Sequence, residues 1–207
     1  MCGRYSALTE EEIIEIREVI REVSLRIAKD DFENYTAPAT EVYPTHDAPV
    51  IVGGGADSTV SFESLRWGFK KWDGKGVIIN ARSETLETKG MFKKHLIAGR
   101  CVVPAGEYYE WEQQGKQKVK HFIKDAEGNL LFMAGLYRDT ADGREFVIIT
   151  KDAYGEAEKI HDRMPVILRA GQIEDWLSGK LSPDTITKLA FNVTVTPCES
   201  DFTQMSL

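Results

Sequence analysis

From Arg100 to Thr150 the chain reads as one short strand after another. Cys101-Val102-Val103-Pro104 and Glu107-Tyr108-Tyr109-Glu110-Trp111-Glu112 are followed by strand-like stretches at 119–124, 130–137 and 145–150. Turns bearing glycine, Glu127-Gly128-Asn129 and Ala141-Asp142-Gly143, separate the last three, as in an antiparallel meander. So long a block of turn-linked strands pushes helices to the periphery. The chain is therefore predicted to be α+β, mainly antiparallel, in a single domain over 1–207. Within the second stretch the two-residue period puts Tyr108, Glu110 and Glu112 on one face, and Tyr109 and Trp111 on the other.

The flanking segments supply the helices. Thr9-Glu10-Glu11-Glu12 is a capping box, with three carboxylates at the positive end of the macrodipole. Ile13, Ile16, Ile20, Val23 and Ile27 continue it as an amphipathic stripe. Further helices are predicted over 91–98, closed by Gly99, over 173–177, and over 182–190 behind Ser182-Pro183. The proline-bearing stretch 35–49 should be extended. It leads into a strand at 50–52, a glycine-rich turn at 53–57 and a partner strand over 59–69. A buried strand at 77–79 runs into Asn80-Ala81-Arg82; if that piece stays extended, Asn80 and Arg82 share a side.

Composition excludes several classes. No apolar run reaches the roughly 18–20 residues that span a bilayer, and Glu10 to Glu12 sit where a signal peptide would be apolar. A cytoplasmic protein is expected, nucleoid-associated in a bacterium. Cys2, Cys101 and Cys198 are odd in number and widely spaced, against a disulfide framework. Neither C-x-x-C nor H-x-x-x-H occurs, so neither a metal nor another cofactor is expected. A net charge of −7 argues against a generic nucleic-acid binder. Yet residues 66–100 carry Arg66, Lys70, Lys71, Lys75, Arg82, Lys89, Lys93, Lys94 and Arg100 against only Asp73, Glu84 and Glu87. Such a stripe is either a solvated face or a local seat for a phosphate backbone.

Cys2 adds a reagent. Removal of Met1 ahead of Cys2-Gly3 would leave a thiol and a free α-amine on one residue. Taken alone, Cys2 reads as a small residue in an N-terminal strand, Asn80 as a turn cap, Glu110 as a cross-strand ion-pair partner and His161 as a core histidine. Trp67 and Trp111 read as core aromatics.

Six ordered motifs change that reading: Met1-Cys2-Gly3-Arg4-Tyr5, Arg66-Trp67-Gly68, Asn80 to Thr85, Arg100 to Gly106, Tyr109-Glu110-Trp111 and His161 to Val166. Together they closely resemble the SOS response-associated peptidase family. The resemblance implies a barrel-like, bifurcated β-sheet system and a sensor that crosslinks to abasic sites in single-stranded DNA, acting as a monomer. It implies Cys2 as nucleophile, with His161, Glu110 and Asn80 completing the catalytic set. It places Arg4, Arg82, Lys93 and Arg163 near DNA phosphates, with Trp67 and Pro38 among the DNA-facing residues and Trp67 supporting a base. Two departures stand out: Tyr35-Thr36-Ala37-Pro38 where the family commonly has Tyr-Asn-x-x-Pro, and Phe69-Lys70-Lys71 after Trp67-Gly68 where it has Leu-x-Pro.

The implied chemistry suits these residue types. An abasic sugar equilibrates with an aldehyde, and an α-amine of pKa near 8 is partly neutral where lysine is not. The thiol on the same residue then closes a thiazolidine intramolecularly. Ring opening and dehydration need proton transfer, which suits Glu110 and His161. Two other classes compete. One is a cysteine hydrolase built on Cys2 and His161, with self-processing or lyase activity beside it. The other is a non-covalent single-strand binder using Trp67 and the basic stripe.

Overall fold

The computed structural model describes residues 2–23, 25–35, 40–53 and 59–198. In chain order the first strands are β1 Tyr5–Ser6, β2 Arg26–Asp30, β3 Glu41–Val42, β4 Asp47–Gly53 and β5 Thr59–Trp67. Next come β6 Phe69–Lys70, β7 Val77–Ile78, β8 Asn80–Arg82, β9 Arg100–Ala105 and β10 Tyr108–Gln114. The last are β11 Gln117–Asp125, β12 Leu131–Thr140, β13 Gly143–Asp152, β14 Arg163–Pro165, β15 Ile167–Leu168 and β16 Val193–Pro197. The helices are α1 Glu10–Glu22, α2 Gly90–Ala98, α3 Ile173–Leu177 and α4 Pro183–Lys188.

Strands β13, β12, β9, β4 and β5 pair antiparallel in that order. A short parallel register then returns β5 to β13, with Arg66 opposite Glu145 and Trp67 opposite Phe146. The five strands close on themselves as a barrel, which removes the exposed edges an open sheet would carry. A second sheet runs β16-β11-β10-β1-β3. The architecture is α+β and mostly antiparallel, as the strand block suggests.

The simple meander is not what forms. Strands β10–β11 and β12–β13 are hairpins, but β11 and β12 lie in different sheets. The turn between them is a crossover, fastened by the Asp125 carboxylate, which accepts from the Glu127 and Asn129 amides at 3.3 and 3.2 Å. Burial explains the split. Leu131 to Leu136 is buried throughout, as a strand covered on both faces must be, whereas β11 alternates and keeps one face wet.

The capping box at Thr9 is present: the Thr9 amide donates to Glu12 Oε2 at 2.7 Å and the Glu12 amide to Thr9 Oγ1 at 3.2 Å. The apolar stripe, however, outlasts the helix. Helix α1 ends at Glu22, and Ile27 lies in β2, paired parallel with β5. The part of β5 beyond its short register with β13, Thr59 to Phe62, takes this segment as a strand partner, and that pairing outcompetes the helical period. The partner strand predicted over 59–69 breaks at Gly68, whose φ of +110° and a would-be Cβ only 2.9 Å from Val77 admit no side chain. Phe69 and Lys70 pair instead with β7. The turn predicted at 53–57 falls largely outside the described residues.

Alternate residues of the barrel strands feed two apolar cores. Ile51, Phe62, Val102 and Ile149 meet α1, α2 and α3. Val50, Trp67, Val103 and Ile148 meet Cys2, Tyr5 and Tyr108 from the second sheet. The N-terminus is thus built into the seam between the sheets. No helix of the described residues is long and apolar enough to cross a membrane.

Candidate active site

Cys2 is completely buried, its Sγ 3.9 Å from the Arg4 carbonyl. Strand β1 is paired over Tyr5–Ser6, and the Tyr109 amide extends its hold by donating to the Arg4 carbonyl at 2.9 Å. Cys2 lies beyond that and is held by Asn80, whose Nδ2 donates to the Cys2 carbonyl at 2.8 Å. Asn80 is itself fixed by β8, which lies parallel to β13 with Asn80 opposite Ile148. Its Oδ1 is buried without a hydrogen-bond partner, an acceptor left open beside Cys2. Burial, followed by the charge of Glu110, pushes the Cys2 thiol far above its ordinary range. It is a protonated thiol, not a standing thiolate.

Glu110 sits on β10 only 4% exposed. Burial raises its pKa, and the neighbouring His161 charge opposes that rise. A carboxyl so placed holds a proton more readily than a surface glutamate and is suited to giving it up in a reaction. His161 follows a one-turn 3₁₀ segment, Ala157–Lys159, and is about one-third exposed (32%). The Arg163 amide donates to its Nδ1 at 2.9 Å, while Asp162 Oδ1 stands 2.7 Å from the same nitrogen. One nitrogen cannot both accept from the amide and donate to the carboxylate. The amide is fixed in the backbone and Asp162 is 81% exposed, so in the neutral ring the amide decides the tautomer: Nδ1 accepts and Nε2 carries the hydrogen.

Beside Asn80 opens a groove of about 730 Å³, lined by Lys71, Ile79, Asn80, Arg82, Lys89 and Met91 among others. Arg82 is exposed on its wall, and Asn80 and Arg82 do share a side there. Arg4 is held by Glu41 at 3.3 Å and packed between Tyr43 and Trp111 at 4.3 and 4.8 Å. Lys93 is exposed on α2. Pro38 lies outside the described residues.

The structure corrects the role expected of Trp67 and ties two basic residues into the fold. Trp67 is wholly buried, 5.0 Å from the Tyr5 ring and stacked on Phe146, with its Nε1 donating to the Ile79 carbonyl at 3.1 Å. It occupies an inward position of β5, so no ring face is left for a base. The exposed indole is Trp72, 96% accessible in the β6–β7 turn next to Lys71. Sequence reading passed over it because a lone tryptophan in a polar turn has no periodicity to mark it as exposed. Arg163 is tied in as well, on the wall of the same groove. Its guanidinium grips Glu84 bidentately at 2.9 and 3.0 Å, pairs with Asp152 and donates to the Thr150 carbonyl at 2.7 Å. It fastens the 83–85 turn to β13 rather than offering a free charge. Arg100 is the other: it donates to the Leu96, Trp176 and Leu181 carbonyls, so the basic stripe ends before it.

A second cavity of about 770 Å³, lined by Ser6, Glu12, Glu107 and Tyr109, touches none of Cys2, Asn80, Glu110 or His161. Among the described residues no group of three or more His, Cys, Asp or Glu side chains is placed to hold a metal ion.

The profile of the family described as SOS response associated peptidase (SRAP) matches residues 1–204. The chain belongs to this family. It is 34% identical over 203 residues to the abasic site processing protein YoqW of Bacillus subtilis, covering 91% of this chain and 86% of that one. To the abasic site processing protein YedK of Escherichia coli it is 29% identical over 199 residues, covering 92% and 85%. A crystal structure of a protein from Bacteroides thetaiotaomicron superimposes with a TM-score of 0.75 at 24% identity, over 99% of this chain and 95% of that one. The overall fold is thus shared down to 24% identity.

Proposed function

We propose that the protein recognises abasic sites in single-stranded DNA and joins itself to them through Cys2, once Met1 has been removed. The observation that carries this reading is Asn80 holding the Cys2 main chain at the edge of a basic groove. A peptidase nucleophile needs its side chain positioned. A reagent that uses its own amine needs its backbone positioned, and that is the grip seen here. The relatives named above as abasic site processing proteins support the same substrate.

In this scheme the α-amine adds to the open-chain aldehyde, and the carbinolamine loses water with a proton from Glu110. The Cys2 sulfur then bonds to the same carbon, its proton passing to the Glu110 carboxylate and the iminium electron pair passing to nitrogen. The balance is aldehyde plus aminothiol giving thiazolidine plus water. The peptidase alternative fits less well, because its nucleophile is a thiolate and burial holds this thiol protonated. Mature protein should give a one-to-one adduct with an abasic oligonucleotide that survives heating in detergent. A tetrahydrofuran analogue, lacking the aldehyde, should bind without crosslinking. Equal behaviour of the two oligonucleotides would reduce the protein to a plain binder.

The groove carries its own expectations. Arg82→Glu should weaken reversible binding well beyond Lys116→Glu, which lies on the exposed β10–β11 turn. Log affinity should fall with log salt at about −0.7 per phosphate contacted. Trp72→Ala should lose about 1–3 kcal/mol, the worth of one stacked base. Binding by Trp72→Ala equal to wild type would remove the indole from the DNA surface.

A further inference from the structure

Tyr108 is a buried polar group of this site that the scheme above leaves unused. Its side chain is fully buried and its hydroxyl has no hydrogen-bond partner among the described residues. An unpaired buried hydroxyl destabilises a fold and calls for an explanation. Its placement suggests one. Tyr108 precedes Glu110 by two residues on β10, so both project from the same face of the strand. Directly opposite is Tyr5 of β1, the strand that leads back to Cys2. Tyr108 shares a buried cluster with Cys2, and burial above all holds the phenol protonated, so it is a standing donor beside that residue.

Two nearby side-chain donors are already committed. Asn80 Nδ2 serves the Cys2 carbonyl, and Trp67 Nε1 serves the Ile79 carbonyl. A sulfur that gains negative charge in a buried site needs a donor from somewhere. We propose that the Tyr108 hydroxyl is that donor, binding the Cys2 sulfur while its bond to the sugar carbon forms and breaks. This rests on the crosslinking reading given above. As the ring closes, the sulfur bonds to the iminium carbon, the π pair moves to nitrogen and the thiol proton passes to the Glu110 carboxylate left by the dehydration. As it reopens, the carbon–sulfur pair returns to sulfur and Glu110 gives that proton back. The phenol stabilises the partial charge on sulfur in the transition state shared by both directions and transfers no proton itself. Both rates therefore depend on it, whereas the preceding imine formation does not.

Tyr108→Phe removes only the hydroxyl, so it separates this role from packing. In mature full-length protein, closure to the heat-stable adduct and release into excess unlabelled abasic DNA should both slow by roughly tenfold to a hundredfold. Imine trapped by borohydride should form at the wild-type rate and accumulate. The melting temperature should not fall, since a buried unpaired group has been deleted. Tyr5 also carries a buried hydroxyl without a partner, but its ring lies against Trp67, and Tyr5→Phe should leave both rates unchanged. Wild-type closure and release in Tyr108→Phe would overturn the proposal, as would slowed imine formation, a lowered melting temperature or the same slowing in Tyr5→Phe. Absence of any heat-stable adduct with the wild-type protein would overturn the crosslinking reading itself, a separate and recognisable failure.

Discussion

Cys2→Ala is expected to abolish the heat-stable adduct altogether, leaving an imine that only borohydride captures. The α-amine survives this change, so the first step proceeds and the second has no sulfur. Added thiols should not restore the adduct. Intramolecular closure carries an effective concentration of about 10⁵–10⁸ M, far beyond any thiol in solution. Loss of folding is not the cause to fear, because Cys2 is small and Cys→Ala in a core removes only one atom's worth of packing, about 1 kcal/mol. A complementary variant keeps the thiol and removes the amine: one extra residue ahead of Cys2 should also abolish crosslinking. Retention of a wild-type adduct by Cys2→Ala would end the organising role given to that residue.

Glu110→Gln should slow adduct formation or reversal by about 10²–10⁴, and His161→Ala should fall in the same range, as positioned proton donors and acceptors do. The same Glu110→Gln change should make the fold more stable near neutral pH. The sign follows from burial. The folded-state pKa of Glu110 is raised, so the native protein binds this proton more tightly than the unfolded chain does. The carboxyl's contribution is fully present below the unfolded value of about 4.3 and is lost as pH rises through the folded one. Glutamine has no charge to bury and escapes that loss. The stability difference between Glu110→Gln and wild type should therefore be small in acid and grow toward neutrality. A variant that loses both rate and neutral-pH stability would show Glu110 to be a structural ion-pair partner.

Local patterns account for what could be read in the chain. The Thr9 capping box, the Ser182-Pro183 helix start and the strand stretches at 119–124 and 145–150 all arise from neighbours within a few residues, and all appear in the structure, the last two inside the longer β11 and β13. The motifs bearing Cys2, Asn80, Glu110 and His161 were legible in the same way, as short segments in a fixed order. Their meeting was not. Asn80 reaches the Cys2 carbonyl across 78 positions of sequence, and only the seam between two sheets brings them together. The same holds for closure of the barrel through Trp67 opposite Phe146, and for the division of β11 and β12 between sheets. It holds as well for the two tryptophans. Trp67 and Trp72 stand five positions apart, one buried against Tyr5 and Phe146, the other almost entirely in solvent. Charge follows the same rule: Arg82 is open at the groove while Arg163 is consumed by Glu84, Asp152 and the Thr150 carbonyl. Periodicity and capping depend on adjacent residues, so sequence determines them. Whether an indole or a guanidinium faces water depends on which distant strand covers it, and only the tertiary structure decides that.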